Sequence, residues 1–313
     1  MKNCVLLATT YQDATEVLNW CEKKGIQTAT VEAEYGEECA EGTYATLAHH
    51  TTEHKMNPAP CVRDEIKPFK DGVIVVSHID LDTLGGISIL EGMKLEHPSF
   101  WNSESIIDTK GYIGVKEIPE DDELVMKAFL GLEKTKVVSF SQEKIGIENE
   151  RVFDVTERVY ELLEVLHYLL SLDKDSNYRK YGLMKFNQYL KNLTIKSLYQ
   201  DKDVRIFKTQ QPQHYLIHKE DEIEYRTCIT LNERTGAIIL SDISESLDCK
   251  VVMQEVFGEK AGGQFRVAGT PRHKRYTLRD VKKLCRHLNE CYQFKINIDE
   301  VSSKGKKEKM TSS

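Results

Sequence analysis

Several hallmarks of membrane and secreted proteins are missing from this sequence. No apolar run approaches the length of a membrane span, and the opening residues MKNCVLLATT lack the architecture of a signal peptide. The eight cysteines include no C-x-x-C pair, and no internal repeat is present. We therefore expect a cytoplasmic protein whose cysteines are reduced and mostly buried.

An excess of positive charge is also lacking. The formal net charge of -7 offers no general attraction to nucleic acid or to an anionic membrane surface. We therefore expect no membrane partner and no long duplex nucleic acid, and a polyanionic substrate would have to be met by local basic residues or by metal. The composition that remains is ordinary for a globular protein. The 313 residues, 40% hydrophobic and 30% charged, suffice for two domains.

The first half of the chain has the element order of an α/β fold. A strand over 3–9, a helix ending at Gly25 and a strand over 27–31 form a β-α-β unit, which favours a parallel sheet. A further buried strand is predicted from Val73, and the helix after it is predicted over 87–96.

The second half of the chain has a different pattern. A broad apolar stripe at helical spacing begins near Glu148, and short strand-like runs separated by turn signals follow from Val204. The last residues are polar and rich in lysine, which is typical of a disordered end. We predict an α/β parallel-sheet catalytic domain, a helical connector, a smaller α+β domain and a disordered tail, at residues 1–147, 148–200, 201–300 and 301–313.

The most informative stretch is a strand that ends in imidazole and carboxylate side chains. Val73–Val76 is an apolar, β-branched run, and His78, Asp80 and Asp82 follow it at alternate positions. If the strand continues through them, alternate side chains share one face and can converge on one point. Imidazole with carboxylates suits Mn²⁺, Zn²⁺ or Fe²⁺ better than a structural Ca²⁺ site. The alternative is a strand end with ordinary surface carboxylates.

A second stretch rich in histidine follows a short predicted strand at 43–48. His49 and His50 would lie at the end of that strand. The segment His50–His54 also matches the H-x-x-E-H motif of inverzincin metalloproteases. That motif requires a helix, which the two central threonines and the nearby Asn57-Pro58 disfavour. A polar loop whose histidines only form hydrogen bonds is the remaining alternative.

A third carboxylate, Asp108, follows an apolar pair. Taken alone, Asp108 is better explained as a helix cap. The two stretches above strengthen its assignment as a metal ligand, because a two-metal centre needs several carboxylates. We therefore include it among the candidate ligands.

A loop rich in glycine lies near the end of the chain. Gly262 and Gly263 allow a backbone to approach a ligand closely, and they precede Gln264. Arg266 and Arg272 could grip a phosphate in a forked geometry. The alternative is a plain β-hairpin with arginines on its surface.

Together these motifs resemble those of the DHH phosphoesterase superfamily. The segment Ser77–Gly85 is similar to the first motif of that family, in the compact spacing of its exonuclease branch. Ala48-His49-His50 resembles the DHH signature, and Ile106–Thr109 resembles the late Asp-Thr metal motif. Ala261–Gly269 is similar to the substrate loop of the companion DHHA1 domain, so the resemblance covers most of the chain.

The resemblance implies a manganese-dependent phosphoesterase with two domains that close around a substrate. One or two Mn²⁺ ions would be held, with Mg²⁺ or Zn²⁺ as alternatives, by His49, His78, Asp80, Asp82 and Asp108. His50 and Asp82 would be catalytic, with His50 polarising the phosphate or protonating the leaving oxygen. The far end of the substrate would contact the loop residues Gly262, Gly263, Gln264, Arg266 and Arg272. The substrate would be a phosphorylated small molecule, a dinucleotide or a short oligonucleotide, and a homodimer is compatible with this assignment.

Some features depart from the family pattern. The two histidines precede the first motif, whereas in the family they follow it. Ala48 and Gln264 replace an aspartate and a histidine of the family, and no aspartate is assigned to the bridging position. These differences favour, as an alternative, a catalytically weakened or inactive nucleotide-binding regulatory module on the same scaffold. In either case His49 or His50 should lie within metal-sharing distance of Asp80 or Asp82.

Overall fold

The computed structural model of this chain describes most of its residues. The described residues are 2–63, 65–93, 97–133, 149, 151–192, 194–210, 218–220, 223–244, 246–271, 274–302 and 307–309. The helices are α1 (Tyr11–Lys23), α2 (Leu81–Leu90), α3 (Pro98–Lys110), α4 (Tyr112–Val115), α5 (Glu120–Glu133), α6 (Thr156–Ser171), α7 (Asn177–Asn192), α8 (Cys249–Phe257) and α9 (Leu278–Tyr292), with a 3₁₀ turn at Pro60–Val62. The strands are β1 (Cys4–Ala8), β2 (Thr28–Val31), β3 (Glu34–Tyr35), β4 (Glu38–Cys39), β5 (Ala45–Leu47), β6 (Val73–Val76), β7 (Val152–Asp154), β8 (Thr194–Gln200), β9 (Val204–Thr209), β10 (Lys219–Glu220), β11 (Ile223–Glu224), β12 (Thr227–Asn232), β13 (Ile238–Asp242), β14 (Gly262–Gly263), β15 (Val267–Gly269) and β16 (Lys307–Lys309).

The chain divides into two compact units. The first comprises Met1–Asp108 and Ile118–Phe186, and the second comprises Thr109–Glu117 and Asn187–Ser313. Among the described residues, the helices α6 and α7 have 16 residues each, and no described helix combines the length and apolar character needed to cross a membrane.

The first unit contains a five-stranded sheet with the order β5-β2-β6-β1-β7. The strands β5, β2, β6 and β1 run parallel, and β7 pairs with β1 in the antiparallel direction. The sequence VIVV of β6 is buried at every position, as expected of a parallel strand that is covered on both faces. The prediction of a mixed α/β fold with a parallel sheet is confirmed.

Apolar side chains close the two faces of this sheet. Alternate strand residues point to opposite sides, so that Val5 and Ile74 pack with the core side chains of α2, α5 and α6. Leu6 and Val75 pack on the other face against Val17 and its neighbours in α1. Both faces of the sheet are therefore covered by apolar side chains.

Three strands of this sheet end at the same level. Val31 at the end of β2 is the register partner of Leu47 in β5 and of Val76 in β6. The segments that follow these strands therefore leave the sheet at one carboxyl edge, where open α/β sheets place their ligands.

Helix α2 begins earlier than the sequence predicts. Asp80 accepts a hydrogen bond of 2.9 Å from the backbone N–H of Thr83 and caps helix α2, which begins at Leu81. The prediction that this helix spans 87–96 is therefore wrong. The strand itself ends at Val76, and Asp82 lies in the first helical turn. The expected alternation along a strand is therefore wrong as well, because the capped turn brings these carboxylates to the sheet edge.

The glycine pair of α2 lies inside the helix and allows close packing. A Cβ atom at Gly85 would overlap the side chain of Cys61, and one at Gly86 would lie 2.7 Å from Cγ1 of Val31. These glycines therefore let the helix approach both the 3₁₀ turn and β2 closely.

The second unit contains a seven-stranded sheet with the order β14-β15-β13-β12-β9-β8-β16. Only β9 and β12 are parallel within it, and its other neighbouring pairs are antiparallel. Core side chains from α8 and α9, including Met253 and Leu284, pack with this sheet. Among the elements predicted after Val204, those that the structure describes correspond to β9, β12, β13, α8 and α9, and the strand-like run at 214–218 lies almost entirely outside the described residues.

The segment predicted to be a connector, 148–200, is shared between the two units. Its first part forms β7 of the first sheet and α6, whose Leu162 and Leu166 belong to the first core. Its last part forms β8 of the second sheet. The predicted domain bounds are therefore not those of the compact units.

The tail also differs from its prediction. Residues 307–309 form β16, which pairs with β8 through the backbone hydrogen bonds open at that edge, so these residues are not a disordered end. The other residues of the segment 303–313 lie outside the described part of the chain.

Candidate metal centre

Glu32 occupies the middle of the carboxyl edge of the first sheet. It follows β2 directly, is 1% exposed and has a φ of 53°, a conformation that is uncommon for a glutamate and indicates that the surrounding structure holds it there. The hydroxyl of Ser77, which follows β6, donates a hydrogen bond to the backbone carbonyl of Glu32. The ends of β2 and β6 are thus tied together at this point.

The two carboxylate oxygens of Glu32 face different histidines. Its Oε1 lies 3.1 Å from Nε2 of His49, and its Oε2 lies 2.7 Å from Nε2 of His50. The two imidazole rings are in contact, with centroids 4.1 Å apart. Each histidine therefore faces its own oxygen of Glu32. Two sets of polar groups are arranged around this carboxylate.

The first set is an inner cluster of Glu32, His49, Asp82 and Asp108. The Nε2 atom of His49 lies 3.5 Å from Oδ2 of Asp82 and 3.2 Å from Oδ2 of Asp108. Glu32 Oε1, His49 Nε2, Asp82 Oδ2 and Asp108 Oδ2 are all buried and make no hydrogen bond within the described residues. Buried polar atoms are normally satisfied, so a concentration of unsatisfied ones indicates a missing partner. Two overlapping sets, His49 with Asp82 and Asp108 and His49 with Glu32 and His50, each place oxygen and imidazole nitrogen donors close enough to share a divalent cation.

The charges of the inner cluster are out of balance. One imidazole faces three carboxylates, and Asp108 and Glu32 overcome the effect of burial and raise the pKa of His49 to about 11. Burial, together with the charges of Glu32 and Asp108, raises the pKa of Asp82 well above its usual range. Like charges this close retain protons unless a cation compensates them.

The second set is an outer pair, His78 and Asp80. The Nε2 atom of His78 lies 2.8 Å from Oδ2 of Asp80 and 3.9 Å from Oε2 of Glu32. The Nδ1 atom of His78 is 2.8 Å from the Ser77 hydroxyl, which fixes the ring. The side chains of the outer pair are 33% and 41% exposed, whereas those of Glu32 and His49 are 1% and 3% exposed. The outer pair therefore forms the open side of the centre.

Backbone contacts aim Asp82 at the inner cluster. The N–H of Cys61 donates a hydrogen bond of 2.7 Å to Oδ1 of Asp82. This bond leaves the other oxygen, Oδ2, facing His49. The close packing of Gly85 on Cys61 holds this donor in place.

The structure brings together all the metal-site residues named from the sequence. The imidazoles of His49, His50 and His78 lie within 3.9 Å of Glu32. Asp82 and Asp108 lie within 3.5 Å of His49, so the expected short distance between His49 and Asp82 is present, and Asp80 lies 2.8 Å from His78. Asp108 reaches the edge from the last turns of α3, not from a strand end.

The residues predicted to bind substrate belong to the second unit. Gly262 and Gly263 form β14 of a tight hairpin, in which a Cβ atom at Gly263 would collide with the carbonyl oxygen of Val267. The N–H of Gln264 donates a hydrogen bond of 2.7 Å to that same carbonyl oxygen.

Arg266 has a structural contact of its own. Its guanidinium donates a hydrogen bond of 2.6 Å to the backbone carbonyl of Ile243. Arg272 lies outside the described residues. The substrate-binding role of the loop stays a prediction.

Sequence reasoning missed two carboxylates near the centre. Glu32 could have been found from its position, because it follows a predicted strand as Ser77 follows another, but no motif marks it. Glu104 lies one helical turn before Asp108 in α3. Burial and the carboxylates of the centre raise the pKa of Glu104 well above its usual range.

The metalloprotease alternative is removed by the backbone of residues 50–56. These residues form bends and turns, not the helix that the H-x-x-E-H motif requires. The Nδ1 atom of His54 instead lies 2.8 Å from the hydroxyl of Thr51.

Comparisons of this chain with protein-family models, with curated proteins and with solved structures found no match. A function is therefore inferred from its own residues.

Proposed function

We propose that this protein is a metal-dependent phosphoesterase that hydrolyses a small phosphorylated substrate, such as a short oligonucleotide or a dinucleotide. The observation that carries the proposal is the group of four buried, unsatisfied donor atoms in the inner cluster, contributed by one imidazole and three carboxylates. Such a set is costly in the absence of a cation and is a natural divalent ion site in its presence.

Two sets of residues would each hold one metal ion. Glu32, His49, Asp82 and Asp108 would hold one ion, and His78 and Asp80 with the second oxygen of Glu32 would hold another. A divalent ion bound in this way supplies charge neutralisation at the phosphate and activation of water. The mixture of imidazole and carboxylate favours Mn²⁺, with Zn²⁺ or Mg²⁺ as alternatives.

His50 is suited to moving a proton. Glu32 overcomes the effect of burial and raises the pKa of His50 to about 9. The Nε2 atom of His50 lies 2.7 Å from Oε2 of Glu32. A phosphoester at the open side of the centre would offer a leaving oxygen as a competing acceptor, which His50 would protonate.

The resemblance to DHH phosphoesterases is supported by spatial order. The two histidines precede the His-x-Asp-x-Asp segment along the chain, but β5, β2 and β6 are neighbours in the sheet, so both segments reach the same edge. Glu32 between them is our candidate for the bridging carboxylate. The net charge of -7 favours a small substrate over long duplex nucleic acid.

A direct assay tests the proposal. Protein freed of metal with a chelator is supplied with Mn²⁺ and assayed against short oligonucleotides and cyclic dinucleotides. We expect turnover that requires metal and that is lost in the double variant Asp80→Ala plus Asp82→Ala. The control is Asp175→Asn, since that side chain is 90% exposed and its only described ion pair is with Lys180. Absence of turnover by the wild type, or full turnover by the double variant, would contradict the proposal.

A nucleotide-binding regulatory module is the second candidate. It is favoured by Ala48, which is 1% exposed and has no acidic group where the DHH signature has one. Nucleotide binding without turnover, in protein loaded with Mn²⁺, would support this candidate.

A further inference from the structure

The segment that carries the two histidines has no regular secondary structure. Strand β5 ends at Leu47, and the residues from Ala48 to Thr51 form no helix or strand. Their backbone must nevertheless hold two adjacent imidazoles on opposite oxygens of Glu32. Neither strand pairing nor helical hydrogen bonds fix this segment, so side-chain contacts must hold it in place.

A buried carboxylate supplies that support. Glu34 is 6% exposed and accepts hydrogen bonds from three successive backbone N–H groups, those of His49 at 3.1 Å, His50 at 2.8 Å and Thr51 at 2.7 Å. Consecutive N–H groups that converge in this way form a concave site for an anion. Here the anion belongs to the protein itself.

The hairpin that presents Glu34 is fixed at several points. β3 pairs with β4, and the hydroxyl of Tyr35 donates a hydrogen bond of 2.7 Å to the carbonyl of Ala8 at the end of β1. Glu37, in the hairpin turn, accepts a hydrogen bond of 2.8 Å from the N–H of the next residue, Thr52. The hairpin thus binds four successive N–H groups through two carboxylates.

We propose that Glu34 is a positioning residue, which fixes the backbone of His49 and His50 so that their imidazoles meet the metal centre. The inference rests on the proposed metal-binding function. Glu34 also lies close enough to Cys39 and His54 to share an ion with them. However, three N–H bonds occupy most of the acceptor capacity of its carboxylate, which is about four sites. A metal ligand role for Glu34 is therefore an outcome of the test and not our proposal.

The test compares two isosteric substitutions in the same hairpin. Glu34→Gln keeps the shape of the side chain but replaces one acceptor oxygen with a donor that faces backbone N–H groups. Glu37→Gln is the matched control, because Glu37 accepts a hydrogen bond from the N–H of Thr52, one residue beyond the three N–H groups that Glu34 binds. Mn²⁺ is titrated calorimetrically into metal-free wild type and both variants, and circular dichroism confirms that each is folded.

We expect Glu34→Gln to weaken Mn²⁺ binding by about 10- to 100-fold without changing the number of ions bound. Glu37→Gln should bind Mn²⁺ as the wild type does. Equal affinity in Glu34→Gln and the wild type would overturn the proposal. Loss of one whole ion in Glu34→Gln, shared by Cys39→Ser and His54→Gln, would also overturn it and would make Glu34 a ligand.

A second measurement keeps this inference separate from the proposed function. Amide hydrogen exchange is followed in the metal-free proteins at a temperature where both are folded. The amides of His50 and Thr51 should be protected in the wild type and exchange at least about tenfold faster in Glu34→Gln. A wild type that binds no Mn²⁺ would overturn the proposed function, and unchanged exchange in the variant would overturn the positioning role.

Discussion

The Nε2 atom of His49 lies 3.2 Å from Oδ2 of Asp108, although one residue follows a strand and the other ends a helix far along the chain. Both atoms are buried, and neither makes a hydrogen bond within the described residues. Two elements far apart in the chain therefore bring these atoms within ion-pair distance, without a hydrogen bond between them. That is the arrangement expected of ligands that share a third partner.

Asp108 should accordingly be required for binding the inner ion. Asp108→Asn keeps the size of the side chain but removes its charge, so we expect Mn²⁺ affinity to fall by at least about tenfold. Titration calorimetry on metal-free protein measures the change. Asp175→Asn, at a side chain that is 90% exposed, should bind Mn²⁺ as the wild type does. Equal Mn²⁺ affinities in the two variants would show that Asp108 is not a ligand of the inner ion.

Asp82 should destabilise the metal-free protein while contributing to metal binding. Burial and the neighbouring Glu32 and Asp108 raise the pKa of Asp82, so Asp82→Asn removes the cost of keeping this group protonated and should raise the melting temperature of the metal-free protein. The amide oxygen can still accept the hydrogen bond from Cys61. Saturating Mn²⁺, at 100 times Kd, should stabilise the wild type by about 2.7 kcal/mol and so raise its melting temperature, and it should raise that of the variant less, because only the inner ion depends on Asp82. Thermal melts with and without Mn²⁺ measure both effects. A variant that melts lower than the wild type without metal, or that Mn²⁺ stabilises as much as the wild type, would refute the prediction.

His50 should act on the reaction more than on the metal. We expect His50→Gln to lower kcat by about 10²- to 10⁴-fold, because the proton donor for the leaving oxygen is lost. Mn²⁺ stoichiometry should be unchanged. Steady-state kinetics and metal titration of the same preparation separate the two effects. If stoichiometry falls with activity, His50 is a ligand instead.

Gly85 should be intolerant of a side chain. A Cβ atom there would overlap Cys61, so Gly85→Ala should destabilise the protein by about 1–3 kcal/mol and disturb the donor that orients Asp82. At Gly269 the nearest atom to an added Cβ is 3.6 Å away, so Gly269→Ala should change stability by at most about 0.5 kcal/mol. Urea unfolding followed by circular dichroism compares the two. Similar stabilities would show that α2 can move away from the 3₁₀ turn.

The parallel sheet and the ligand-bearing segments are predictable because both depend on local patterns. The β-branched run at Val73–Val76 specifies a buried strand, and polar residues directly after such a strand lie at the carboxyl edge. His49 and Asp82 could therefore be assigned to one site without knowledge of the strand order.

Glu32 and Glu34 escaped prediction because their roles depend on tertiary contacts. Nothing in an acidic, turn-rich segment distinguishes a buried glutamate with a φ of 53° from a solvated one. The start of α2 was misplaced for a related reason, since the cap at Asp80 competes with its interpretation as a strand ligand. The 148–200 segment was assigned to a connector because an apolar helical stripe does not reveal which sheet it covers.

The measurement that tests the metal centre most directly is a crystal structure of the protein soaked with Mn²⁺, with anomalous data collected at the manganese edge. We predict an anomalous peak in contact with His49 Nε2 and with oxygens of Glu32, Asp82 and Asp108. A second peak between Glu32, His78 and Asp80 would establish two ions. A structure without anomalous density at this sheet edge, in which His49 remains paired with the carboxylates, would contradict the central claim.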